Sequence, residues 1–313
     1  AGTSNNHFKL SNNIHLESEW TSIDLIANTF LVTSFDGDNH IISGLKTTSG
    51  DGGLFDEVAN ATIKNLTLEV ISISGTRVGA LANYISYSVI ENVHVKATGD
   101  ITGSSYAGGI AHKVVDSQLE NVSFVSTGRV LSNSGSARAG GIASEILDSS
   151  ISKLAVDAQV VSYGFQAGGI AGLIRLVDST VDLTELSFRG AVTSSRQAGG
   201  LFGLMYGKNS NSTLAVLTNS SVIGSVGTSN DFYPGALIGT LVPNSEQIRR
   251  LVVSTVFVSA ELVDRDTDTA NGAIITPYPG SVDIATGNMT LYDSDKVLAG
   301  TTVTYSDGGT NST

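Results

Sequence analysis

Apolar positions along the chain fall into short Val- and Ile-rich runs separated by Gly, Ser, Asn and Asp, a spacing that predicts strands. The long stretches of helix formers that a helical repeat requires are absent. The runs also repeat. AGGIAHKVVDSQLENVSFVSTGRVL (107–131), AGGIASEILDSSISKLAVDAQVV (139–161) and AGGIAGLIRLVDSTVDLTELSFRGAV (167–192) share a glycine pair at the head and Asp-Ser in the middle. Taking the second small residue of each Gly-Gly or Gly-Ala pair as an anchor gives Gly53, Ala80, Gly109, Gly141, Gly169, Gly200, Ala236 and Ala273. Successive differences between them are 27, 29, 32, 28, 31, 36 and 37 residues, periods that mark a solenoid or array.

Within each period the apolar residues keep register. One place after the anchor stand Leu54, Leu81, Ile110, Ile142, Ile170, Leu201, Leu237 and Ile274, and five places after it Val58, Ile85, Val114, Ile146, Ile174, Met205 and Leu241. A second cluster, apolar-x-x-apolar-x-apolar, runs from Ile63/Leu66/Leu68 through Leu119/Val122/Phe124 to Leu183/Leu186/Phe188, and Ile248/Leu251/Val253 is expected to continue it. A third short segment (GDITG, GRVLS, AQVVS, GAVTS) closes most units. Three strands per period, none able to bury its apolar face alone, predict an all-β, right-handed parallel β-helix with capped ends. The glycine pairs are expected to supply unusual backbone angles and close approach at one corner, and Asp116-Ser117, Asp148-Ser149 and Asp178-Ser179 to form the next. Residues 1–50, which hold the one Trp, are expected to be an N-terminal cap and first coil. Residues 51–276 form the repeat coils, 277–305 a last coil or C-terminal cap and 306–313 a linker, the whole part of a larger polypeptide.

Composition narrows the function classes. Charged residues make up 15% of the 313 and the formal charge is −12, which argues against nucleic-acid partners and anionic membranes. No apolar run approaches the ~20 residues of a membrane helix, so no membrane insertion is expected. The absence of cysteine removes disulfides, thiolate catalysis and Cys-ligated zinc.

GGIAG (168–172), GGLFG (199–203) and GALIG (235–239), with FKLSNNIHLESEWTSI (8–23) and FDGDNHIISGL (35–45) ahead of them, resemble the GLUG-type repeats of bacterial surface and secreted proteins. Similar repeats occur in adhesins and in non-catalytic parts of some immunoglobulin-A-cleaving metallopeptidases. The resemblance implies an extracellular setting, at the bacterial surface or secreted, and no single activity. The H-E-x-x-H zinc helix of a peptidase is missing, since none of His7, His15, His40, His94 and His112 is followed by Glu.

Exposed aromatics are the usual platforms for sugars. Tyr106, Phe165 and Tyr233 each precede an anchor by three or four residues and are expected to align along one edge as a glycan-contact surface. Asp264, Asp266 and Asp268 have the alternating spacing of a calcium loop without its glycine or terminal glutamate, so calcium is the one cofactor to consider and a solvated acidic loop the plainer reading. FDGDNH (35–40) reads as a tight turn. No catalytic residues stand out, because the acids are scattered along the chain and most basic residues stand alone. The expected function is adhesion: a module that binds host or environmental glycan or protein ligands, or presents such a binder. A β-helix polysaccharide lyase or hydrolase is the alternative, and an inert spacer in a larger secreted protein the second.

Overall fold

The computed structural model describes residues 6–23, 32–176, 180–207, 213–229, 234–241, 248–263, 273–277, 283–286, 289–293 and 296–298. Among them there is no helix. The strands form a parallel β-solenoid in which each pairs with its counterpart one coil later. The exception is an antiparallel hairpin, Met289–Asp293 with Lys296–Leu298. At the other end Asn6–Lys9 and Ile14–His15 already pair in parallel with Val32–Asp36 and Ile41–Thr47. There Trp20 packs against the core and donates its indole N–H to Leu54 O at 2.9 Å.

The apolar columns form the core. Val58, Ile85, Val114, Ile146, Ile174, Met205 and Leu241 stack in register and are fully buried. In the third segment Ile73, Ile101, Val130, Val160, Val192 and Val226 do the same. Each such side chain contributes roughly 1.5–3 kcal/mol on leaving water.

The second cluster departs from expectation in its later coils. Leu183 and Phe188 pair with Leu217 and Val222, which pair in turn with Val253 and Val258. The continuation is therefore Val253/Val256/Val258, not Ile248/Leu251/Val253. Between Leu217 and Val222 the middle place falls to Ser220, whose hydroxyl accepts from Leu186 N at 3.1 Å and donates to Thr218 O at 2.8 Å. A serine that satisfies itself in the core breaks the apolar pattern without breaking the register.

The glycine pairs work mainly by proximity, since among the described pairs only Gly52, with φ of 105°, has a left-handed backbone. A Cβ on Gly109 would lie 2.1 Å from Gly141 O and 2.6 Å from the Phe124 ring, and one on Gly169 2.1 Å from Gly200 O and 2.3 Å from Phe188. The large inward side chain of the second cluster occupies the space that the missing Cβ leaves.

The left-handed conformation is carried mainly by asparagine and aspartate, in two columns. Asn65, Asn92 and Asn121 bend the second strand of three successive coils, a place that Lys153, Glu185, Asn219 and Thr255 take in later ones, and form a ladder, with Asn92 Nδ2 donating to Asn65 Oδ1 at 3.2 Å and Asn121 Nδ2 to Asn92 Oδ1 at 2.7 Å. At the next corner stand Asn60, Tyr87, Asp116 and Asp148, with φ of 56°, 49°, 47° and 57°. Asn and Asp tolerate this region, whereas a tyrosine in it costs about 1–2 kcal/mol. The residue after each is Ala61, Ser88, Ser117 or Ser149. The Ser88, Ser117 and Ser149 hydroxyls each accept the backbone N–H of the preceding coil at 3.0–3.1 Å and donate to the carbonyl two residues back. In the Asp-Ser pair, aspartate therefore supplies the turn and serine the bonding. Asp178-Ser179 lies outside the described residues.

Candidate functional site

A cluster of charged and polar side chains follows from two registers meeting at the glycine corner. Two places before the first glycine of each pair stand Arg77, Tyr106, Arg138, Gln166 and Gln197, one above the other. Three residues beyond the anchors, the chain places Asn83, His112 and Ser144, where later coils have Gly172 and Gly203. One place further, Tyr84, Lys113 and Glu145 stack.

These columns interlock. Glu145 bonds Arg138 and forms an ion pair with Lys113 at 3.2 Å. Arg138 Nε donates to Gln166 Oε1 at 2.7 Å, and Gln166 Nε2 to Gln197 Oε1 at 2.6 Å. The Tyr106 ring lies 5.0 Å from that of His112, with the Arg138 guanidinium 5.9 Å from its centroid. Asn83 gives its Nδ2–H to Asp56 Oδ1 at 3.0 Å, so its Oδ1 accepts, and His112 Nδ1, 2.9 Å away, carries the proton. Burial depresses the His112 pKa from 6.5 to about 4; the Glu145 carboxylate opposes that fall, and the Arg77 and Lys113 charges reinforce it. His112 is therefore neutral at physiological pH, and the corner is a pre-ordered cluster of donors, acceptors and one aromatic edge, with His112, Glu145 and Gln166 buried in it. A general base needs a pKa near working pH, which His112 lacks.

Elsewhere the charged residues close the coils. Arg77 clamps Asp51, and Arg129 clamps Asp100 in the same way, each with its backbone N–H on one carboxylate oxygen and its guanidinium on the other. The Arg129 bond holds the Asp100 carboxyl below the usual aspartate range. Asp148 is held by Arg175, whose Nε donates at 2.9 Å and whose own pKa this partner raises. In FDGDNH, Asp36 Oδ1 accepts from Asp38 N at 2.9 Å and Asn65 Nδ2 at 3.1 Å, the tight turn expected.

The expected aromatic edge is not a ladder. Register places Arg138 and Gln166 above Tyr106, while Phe165 sits one residue off that column, beneath the Arg196 guanidinium at 4.4 Å. The cause is a turn one residue different in length: Tyr106 is three places before its anchor and Phe165 four. Tyr233 lies outside the described residues, as do Asp264, Asp266 and Asp268. Among the described residues no group of three His, Asp or Glu side chains is placed to hold a metal. His112, Lys113, Arg138 and Glu145 were not singled out as site residues, because their convergence depends on which columns face each other. The non-glycine residues at 112 and 144, within GGIAH and GGIAS, were the one signal.

Comparison with known proteins bears on this arrangement. Residues 13–97 match the M26 IgA1-specific metallo-endopeptidase N-terminal region. The chain is 30% identical over 180 residues to an immunoglobulin A1 protease of Streptococcus sanguinis, a stretch that is 56% of this chain and 8% of that protein. It is 26% identical over 193 residues to the immunoglobulin A1 protease of Streptococcus pneumoniae, 57% of this chain and 9% of the relative. The alignments thus span less than a tenth of either relative. A solved Bacteroides ovatus structure, described as a candidate immunoglobulin A1 protease, superposes with a TM-score of 0.57 at 17% identity, covering 90% of this chain and 77% of the other. That likeness supports the solenoid fold. The GLUG-type likeness rests on the quoted motifs alone. The matched region ends at Ala97, so it holds Arg77, Asn83 and Tyr84 of that corner and stops short of Tyr106.

Proposed function

We propose that this chain is a non-catalytic recognition module of an extracellular bacterial protein of the IgA1-protease type, binding a host glycan or protein, IgA1 among them, or presenting such a binder. The observation that carries this reading is the match of residues 13–97 to the N-terminal region of such endopeptidases, in a chain whose own sequence holds no H-E-x-x-H. The rigid polar corner supports it. Pre-ordered side chains lose little entropy on binding, and the mixture of amide, guanidinium, carboxylate and aromatic groups suits a hydrated polar partner. Tyr106 and Phe165 are the aromatic contacts assigned to this role, with Tyr233 from the same expectation. The polysaccharide-cleaving alternative predicts turnover. The test is to incubate the purified chain with IgA1 and with a panel of polysaccharides, and then to assay for new reducing ends and peptide fragments beside equilibrium binding. Binding with every partner left intact supports a recognition module, and cleavage overturns it.

A further inference from the structure

We propose that a second surface, the cleft around Tyr87, is a binding site for a neutral oligosaccharide; the proposal deepens the recognition reading and rests on it. The corner column runs Asn60, Tyr87, Asp116, Asp148. Three of the four are the residue types that accept a left-handed backbone, and the fourth is a bulky aromatic with no conformational reason to be there. Tyr87 gains little packing in exchange, since it is 63% exposed, the largest value among the exposed large hydrophobics of the described residues. Its ring stands at one side of an open cleft of about 750 Å³, within the size range of ligand sites, with Asp116, Gln118, Asp148 and Ser150 along the wall.

The chemistry of the lining selects the ligand. An exposed phenol ring offers a flat apolar face to the C–H face of a sugar. Asp116, Gln118 and Ser150 are exposed, one coil and two coils on, and offer carboxylate, amide and hydroxyl groups to sugar hydroxyls. The Ser88, Ser117 and Ser149 hydroxyls beneath are spent on the backbone ladder, so the floor is rigid. Charge then discriminates. The described lining carries Asp116, Asp148 and Asp182 and no Lys, Arg or His, and only Asp148 is neutralised, by Arg175. Sialylated, sulfated and uronic sugars are repelled, and neutral ones are not.

The experiment probes the whole chain with an array of neutral galactose-, N-acetylgalactosamine- and glucose-based oligosaccharides and their sialylated counterparts, with purified IgA1 and enzymatically deglycosylated IgA1 alongside. It compares wild type with Tyr87→Asn and Asp116→Asn. Asn is the residue the corner accepts, so Tyr87→Asn is expected to melt at or above the wild-type temperature while losing about tenfold or more in affinity for the neutral sugars, as the loss of an aromatic anchor does. That result supports the proposal. Neutral-sugar binding untouched by Tyr87→Asn overturns the site and leaves the recognition reading standing. Preference for the sialylated set, or equal Tyr87-dependent binding to deglycosylated IgA1, overturns the ligand class. No binding to any probe overturns both.

Discussion

Acid should loosen the Tyr106 corner through His112 before it touches the carboxylate clamps. In the folded chain the imidazole is 6% exposed and neutral, its pKa driven down to about 4 by burial. In the unfolded chain it takes up a proton below about 6.5. The folded state therefore binds fewer protons between these values, and stability present above about pH 6.5 is lost as pH falls toward 4. A displacement of about 2.5 units corresponds to about 3 kcal/mol at full protonation, of which about 2 kcal/mol is gone by pH 5. The assay is urea unfolding of wild type and His112→Asn at several values between pH 7 and 4.5. Asn83 occupies the same place one coil earlier, so the column accepts the substitution. The stability difference between the two proteins should shift by about 2 kcal/mol in favour of the variant between pH 7 and 5. Asp100, held below its usual range by Arg129, titrates beneath this window and cancels in the subtraction. A difference that stays constant across pH would refute the buried, neutral imidazole.

Other consequences follow from the stacking code. Gly169→Ala places a Cβ 2.1 Å from Gly200 O and 2.3 Å from the Phe188 ring and should cost about 1–3 kcal/mol in thermal unfolding; Gly135→Ala, with nothing within 4 Å, should be near neutral. Phe188→Ala empties a fully buried site and should cost about 3–5 kcal/mol by denaturant titration. Asn92→Ala removes the middle of the asparagine ladder at φ 53° and should cost about 1–2 kcal/mol, with Asn92→Gly milder because glycine keeps the left-handed turn.

The solenoid was legible because its code is periodic. The column five places beyond the anchors appears in the structure residue for residue, from Val58 to Leu241. Register failed where polarity interrupted it. Ser220 in the core hid the Leu217–Val222 strand and shifted the next cluster by five residues. The glycine pairs were legible as corner residues, and the close approach expected of them holds; the unusual backbone angles also expected are found, among the described pairs, at Gly52 alone. Nothing local marks Asn65, Asn92 and Asn121 as a ladder, because the partners in it lie 27 and 29 residues apart. Sites suffered most. Tyr106, His112, Arg138 and Glu145 come from three coils, so no local motif joins them, and a one-residue change in turn length separates Phe165 from the Tyr106 column. That Tyr87 stands where Asn and Asp belong required the backbone.

The central claim, that this chain recognises and does not cleave, is tested most directly by equilibrium binding. The purified chain would be titrated over immobilised IgA1 and a broad glycan array in calcium-containing buffer, with the captured molecules analysed for integrity afterwards. A saturable isotherm on intact ligand is the predicted result. A flat response on every surface, or a ligand shortened by contact with the chain, would contradict it.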